Sequence, residues 1–173
     1  MPDNLLKLNL GCGGDIREGY VNIDKYDFRQ PEVVVRADIF TINYPDNSID
    51  EILLSHVIEH LTIWKVPSLF SNCYRMLKQG CKLIITVPDI DKLCRAWVDA
   101  TDRQERYIVL NAIFSPHQSD LITGDTISPH IWGWCHEHLN EHLSQAGFSN
   151  VIYSDGESKT PGRNWCIKAE AVK

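Results

Sequence analysis

The chain has 173 residues, 43% apolar and 23% charged, with a net charge of −6; this suits one domain over residues 1–173 and excludes a disordered or fibrous chain. The acidic balance, with no dense run of Lys and Arg, argues against a nucleic-acid phosphate surface. Met1-Pro2-Asp3-Asn4 lacks the regions of a signal peptide and no apolar run reaches membrane-spanning length, so a cytoplasmic protein without a membrane partner is expected.

Residues 5–10 (LLKLNL) form an apolar run that stops at Gly11-Cys12-Gly13-Gly14, the pattern of a buried strand turning into a tight loop. Residues 20–24 alternate as a strand does and end on Asp24. Val33-Val34-Val35 is β-branched and leads to Asp38-Ile39, and residues 50–56 form a fourth candidate strand. From Val66 the apolar positions Val66, Leu69, Phe70, Cys73, Met76 and Leu77 follow helical spacing, with Pro67 in the first turn and Gly80 expected to close the helix. Residues 82–87 (KLIITV) read as a fifth strand stopped by Pro88.

Residues 89–114 are expected to form one helical segment carrying Trp97, and residues 115–129 a loop. A further helix is expected over 133–146, with Gly147 as its closing glycine, and then two strands over 148–153 and 164–172. Strands alternating with helices imply a mostly parallel sheet, and the last pair implies an antiparallel edge. The six cysteines, Cys12, Cys73, Cys81, Cys94, Cys135 and Cys166, contain no CxxC pair and read as reduced thiols, not a zinc knuckle or disulfide framework.

A glycine-rich turn after the first strand lets backbone N–H groups approach a ligand, and an acid closing the second strand can accept both hydroxyls of a ribose. Gly11-Cys12-Gly13-Gly14 and Asp24 supply both features. The ordered series continues with Ala37-Asp38-Ile39, Tyr44-Pro45-Asp46-Asn47-Ser48-Ile49-Asp50, Ser55-His56-Val57-Ile58-Glu59-His60 and Leu77-Lys78-Gln79-Gly80-Cys81. In this series, from Leu8 to about Pro88, the chain resembles the class I S-adenosyl-L-methionine (SAM)-dependent methyltransferases, in particular the type 11 group. The resemblance implies a Rossmann-like, mostly parallel seven-stranded sheet with an antiparallel terminal strand pair, SAM as cofactor, and a small-molecule methyl acceptor. It implies that Gly11, Cys12 and Gly13 face the methionine and ribose end of SAM. Asp24 would bind the ribose diol, Lys25 or Tyr26 would lie along the adenine, and Asp38 and Ile39 would read its edge. Ser55 and His56 would pass near the sulfonium.

The chain departs from the family pattern in three ways. Too few residues separate Gly13 from Tyr20 for the usual helix after strand one, the second glycine of the Leu77-Lys78 motif is Cys81, and the fold is reduced at its N-terminus. His60 and His130 are the candidate bases toward the acceptor, because imidazole titrates near neutral pH. His117, His130, Trp132 and Trp134 fall where the family builds its acceptor pocket, and residues 115–134 are expected to act as a lid; packing of both Trp residues in the core is the alternative.

His56-x-x-Glu59-His60 also spells an inverted zincin motif, which needs a helix where a strand end is expected. A divalent cation assisting the acceptor is the more plausible metal reading of the two, and no metal ligands are assigned. His138 and His142 are placed on a solvated helix face beside a buried stripe of Leu139, Leu143 and Ala146. A dinucleotide fingerprint fails because Ile16 stands where its third glycine belongs. The rival to catalysis is a SAM-binding methyltransferase-like module working through a protein partner. A monomer or homodimer is expected.

Overall fold

The computed structural model describes residues 5–26, 34–115 and 129–173. The strands are β1 (Lys7–Leu10), β2 (Val21–Asp24), β3 (Val34–Arg36), β4 (Ile49–Ser55), β5 (Leu77–Pro88), β6 (Ser149–Asp155) and β7 (Cys166–Val172). The helices are α1 (Val66–Met76), α2 (Ile90–Asp99), α3 (Arg103–Phe114) and α4 (His136–Gln145), with 3₁₀ turns at Ile58–His60 and Ile63–Lys65. All seven strands lie in one sheet in the order β3-β2-β1-β4-β5-β7-β6. The first five are parallel, and β7 runs antiparallel to both β5 and β6. The fold class and the terminal pair are as expected from the sequence.

A parallel strand covered on both faces needs an unbroken apolar run. Leu83, Ile84 and Ile85 of β5 are such a run, and all three are buried. Helix α1 covers this sheet with Val66, Leu69, Phe70, Cys73 and Met76, all buried, at three- and four-residue spacing. Truncating a buried aromatic such as Phe70 to Ala costs roughly 3–5 kcal/mol, so this stripe fixes the helix against the sheet.

Three boundaries differ from the sequence reading. Helix α1 stops at Met76, and Gly80 lies within β5 at φ +75°. Between Ile49–Leu77 and Glu51–Lys82 the register of β4 against β5 shifts, so the glycine serves a bulge, not a helix end. The segment 89–114 is two helices, because Asp89 accepts the N–H groups of Asp91 and Lys92, and Asp102 accepts that of Glu105. Each aspartate caps a new N-terminus. Helix α4 begins only at His136, because Trp134 bridges to Asp89 and holds the preceding backbone extended. Gly147, at φ +101°, follows the helix as expected.

No helix forms over residues 11–20. A buried amide pair holds the loop instead. Asn9 donates through Nδ2 to Asn22 Oδ1 at 2.9 Å and to the Asp15 carbonyl at 2.8 Å. Asn22 Oδ1 also accepts the Arg17 N–H at 2.9 Å, and Asn22 Nδ2 returns to the Arg17 carbonyl at 3.1 Å. With these polar atoms satisfied internally, the pair clips the short loop to the ends of β1 and β2.

Candidate functional site

In an open α/β sheet, ligands collect at the carboxyl ends of the strands where the strand order reverses. Here that point lies between β1 and β4. Gly11 and Gly13 leave β1 at φ +68° and +52°, a region open mainly to glycine. A Cβ on Gly11 would stand 2.9 Å from both methyls of Val57, which follows β4, so the two strand ends pack backbone against side chain.

Asp24 closes β2 and is 7% exposed. Its Oδ2 accepts the Gly13 N–H at 2.8 Å and its Oδ1 the Tyr26 N–H at 2.9 Å. A carboxylate has about four lone-pair sites, so about two remain for hydroxyl donors. That acceptor pair beside a glycine loop fits a ribose diol. The Cys12 thiol is pushed up to about 11 by burial and by Asp24, so it stays protonated and is no nucleophile at neutral pH. Lys25 and Tyr26 are exposed, with the Lys25 ammonium 5.9 Å from the Tyr26 ring centre. Asp38 caps its own turn, its Oδ1 accepting the Phe40 N–H at 3.0 Å, and Ile39 is buried in the core.

Ser55 ends β4 opposite Thr86. His56 follows at φ +55° and donates its backbone N–H to the Thr86 carbonyl at 2.8 Å. Its Nδ1 lies 3.1 Å from Glu59 Oε1 and its Nε2 lies 3.0 Å from the Glu157 carbonyl. Both partners are acceptors, so both ring nitrogens carry hydrogen and the ring is an imidazolium. Burial opposes this charge, but the side chains of Cys166 and Glu59 and the Glu157 carbonyl outweigh it and raise His56 to about 10. Because His56 leaves the strand in a left-handed conformation and only Ile58–His60 turns, the helix of an inverted zincin is absent here.

Glu59 is 1% exposed, and its Oε2 has no hydrogen-bond partner among the described residues. Its backbone carbonyl accepts the N–H groups of Ile131 at 2.9 Å and Trp132 at 3.3 Å. These bonds bring His130 over the turn, with Nε2 3.9 Å from Glu59 Oε1 and Nδ1 3.1 Å from the Ile113 carbonyl. Burial, above all, holds the His130 pKa below the ordinary imidazole value, against the pull of Glu59. The His60 ring meets the His130 ring edge-on at 4.8 Å. The two candidate bases thus stand together.

Sequence reasoning missed Glu59 as a site residue, although a carboxylate set between Ile58 and His60 after an apolar strand was the available signal. Trp134 is 0% exposed and belongs to the core under the sheet, while Trp132 is 39% exposed. His138 is exposed and His142 Nδ1 donates to the His138 carbonyl at 2.9 Å; both flank buried Leu139 and Leu143. His117 and most of the expected lid lie outside the described residues. A cavity of about 680 Å³ lined by Trp97, Arg103, Arg106 and Tyr107, and one of about 290 Å³ lined by Ile39, Phe40, Ser68 and Asn72, include neither Asp24 nor His60.

The family described as "Methyltransferase domain" matches residues 8–85, a span that holds the glycine turn, Asp24, Asp38 and the Glu59–His60 turn. That span is under half of the chain, and the fold is the one seen in class I methyltransferase structures. A SAM-dependent methyltransferase from Archaeoglobus fulgidus is 17% identical with a TM-score of 0.66, the match covering 98% of this chain and 86% of that one. One from Methanosarcina mazei is 13% identical with a TM-score of 0.64, over 100% and 94% of the two chains. Another, from Mesorhizobium loti, is 17% identical with a TM-score of 0.62, again over 100% and 94%. At such identities these methyltransferase structures support the fold alone. No curated protein matches the sequence. Among the described residues, no helix is long and apolar enough to cross a membrane.

Proposed function

We propose that the chain transfers the methyl group of SAM to a small-molecule acceptor. The observation that carries this reading is the sharing of one end of the sheet, at the carboxyl ends of the parallel strands. The Asp24–Gly13 clamp closes β1 and β2, and the Glu59–His60–His130 cluster follows β4, with Gly11 against Val57 between them. A cofactor grip and a set of proton-handling groups on adjoining strand ends are what a two-substrate transfer needs.

SAM supplies a methyl group on a sulfonium, which leaves as a neutral thioether when the acceptor's lone pair attacks in line. The protein's tasks are binding, alignment and the acceptor's proton. In this reading Gly11, Cys12 and Gly13 shape the methionine and ribose site, and Asp24 takes the ribose hydroxyls. Lys25, Asp38 and Ile39 serve the adenine, and Ser55 and His56 border the sulfonium. His60 and His130 act on the acceptor. The negative net charge favours a small acceptor over a nucleic acid.

Calorimetric titration with SAM, S-adenosylhomocysteine and NAD tests the reading. Binding of the first two with no response to NAD is expected, and the reverse overturns it. SAM binding without turnover across a panel of phenols, amines and carboxylic acids would favour the partner-dependent module.

A further inference from the structure

We propose that Glu59, His60 and His130 bind one divalent transition-metal ion, held ready to take a hydroxyl-bearing methyl acceptor as an additional ligand. The last clause rests on the methyltransferase reading; the metal site itself does not.

The first support is an unsatisfied atom. Glu59 is 1% exposed, and its Oε2 has no hydrogen-bond partner among the described residues. A buried carboxylate oxygen without a partner costs about 1–3 kcal/mol or more, so proteins seldom keep one unless something outside the polypeptide meets it. The other oxygen is already engaged, since Oε1 accepts from His56 Nδ1 at 3.1 Å. His56 is thereby a positioning residue that aims the remaining oxygen.

The second support is the histidine geometry. The His130 Nδ1 faces the Ile113 carbonyl at 3.1 Å and must donate to it, which leaves the lone pair on Nε2, the nitrogen turned toward Glu59. An imidazole whose far nitrogen donates to a carbonyl is the arrangement that fixes a metal-ligating histidine. One ligand atom from each of Glu59, His60 and His130 lies within 4.8 Å of the others. Ligands about 2.0–2.2 Å from a shared ion stand about 3.3 Å apart, so side-chain shifts of about 1 Å complete the set.

Two imidazoles and one carboxylate suit zinc, cobalt or iron(II) better than magnesium or calcium. Three protein ligands leave positions open, as at a catalytic ion and unlike a closed structural site. A hydroxyl bound there gives up its proton to solvent more readily; its oxygen lone pair then forms the bond to the methyl carbon as the methyl–sulfur bond breaks and S-adenosylhomocysteine leaves as a neutral thioether. This changes the task of His60 and His130 from accepting the acceptor's proton to holding the ion that labilises it.

The test uses the whole chain, stripped of metal by a chelator and titrated with Co²⁺ and then Zn²⁺. One equivalent of Co²⁺ should bind with visible absorption bands, and Zn²⁺ should displace it. In wild type, Zn²⁺ should shift the NMR ring signals of His60 and His130 and leave His138 unmoved. Glu59→Gln and His130→Ala should each lose at least tenfold in Co²⁺ affinity, while His138→Ala keeps wild-type affinity. No stoichiometric binding in wild type, or ring shifts confined to other histidines, overturns the proposal even if the Glu59 variant fails to fold. SAM titration of the same metal-free samples separates the two readings. Retained SAM binding without metal uptake sinks the metal site alone, whereas metal uptake without SAM binding sinks the methyltransferase reading alone.

Discussion

The backbone N–H of Gly13 donates to Asp24 Oδ2 at 2.8 Å, tying the loop after β1 to the last residue of β2. One carboxylate therefore both shapes the glycine loop and offers acceptors to a ligand. Asp24→Ala is expected to weaken SAM binding by about 1–3 kcal/mol, because buried hydroxyls lose a charged acceptor. Calorimetry on a variant with unchanged circular dichroism decides it. Unaltered affinity would remove the ribose assignment.

Gly11→Ala should destabilise the fold as well as the site. Its Cβ would lie 2.9 Å from both Val57 methyls, and its φ of +68° disfavours any side chain. Overpacking of this kind costs about 1–3 kcal/mol, and each kcal/mol lowers the melting temperature of a chain this size by about 2–4 °C. Adding Val57→Ala should restore part of the loss. A double variant no more stable than the single one would show that the contact is not the cause.

His60→Ala should lower the rate of methyl transfer while SAM affinity stays within about threefold, under about 1 kcal/mol. This holds whether His60 takes a proton or holds an ion, since both tasks concern the acceptor. A large loss of SAM affinity with normal turnover at saturation would place the residue on the cofactor side instead.

The cysteines should separate by reactivity. Cys94 is exposed, whereas the thiols of Cys12 and Cys73 are pushed up by burial to about 11 and about 12. Thiolate, the reactive form, grows tenfold per pH unit below the pKa. At pH 8 iodoacetamide should therefore modify Cys94 first and leave Cys12 untouched, with Cys12 labelling rising as pH approaches 11. Peptide mapping by mass spectrometry reads this out, and early labelling of Cys12 would contradict its burial.

The sheet was legible because buried parallel strands must be apolar throughout, and runs such as residues 83–85 can be nothing else for long. The break between α2 and α3 was also written in the chain, as Asp102 followed three residues later by Glu105. It escaped notice because apolar residues continue on both sides. For Trp134 the sequence left pocket wall and core both open, and a tertiary contact decides. Beside histidines it resembles a pocket wall, yet its backbone bridges to Asp89 and carries the ring into the core. The convergence on Glu59 had no local signature. His130 reaches it only because Ile131 and Trp132 donate to the Glu59 carbonyl, a pairing between distant segments that no spacing rule contains.

Leu93, Val109 and Trp165 form a buried cluster separate from the large core under the sheet. The α2–α3 hairpin can therefore loosen as its own cooperative unit, and its amides should exchange faster than those of β1, β4 and β5. Equal protection of hairpin and sheet would refute that independence. The last turn of α3 supplies both carbonyls that hold His130, those of Ile113 and Phe114. Loosening the hairpin thus withdraws a histidine from Glu59 and leaves the Asp24 clamp intact. Under the proposed reading, substitutions in that hairpin would change how the acceptor is handled and leave SAM binding unaltered.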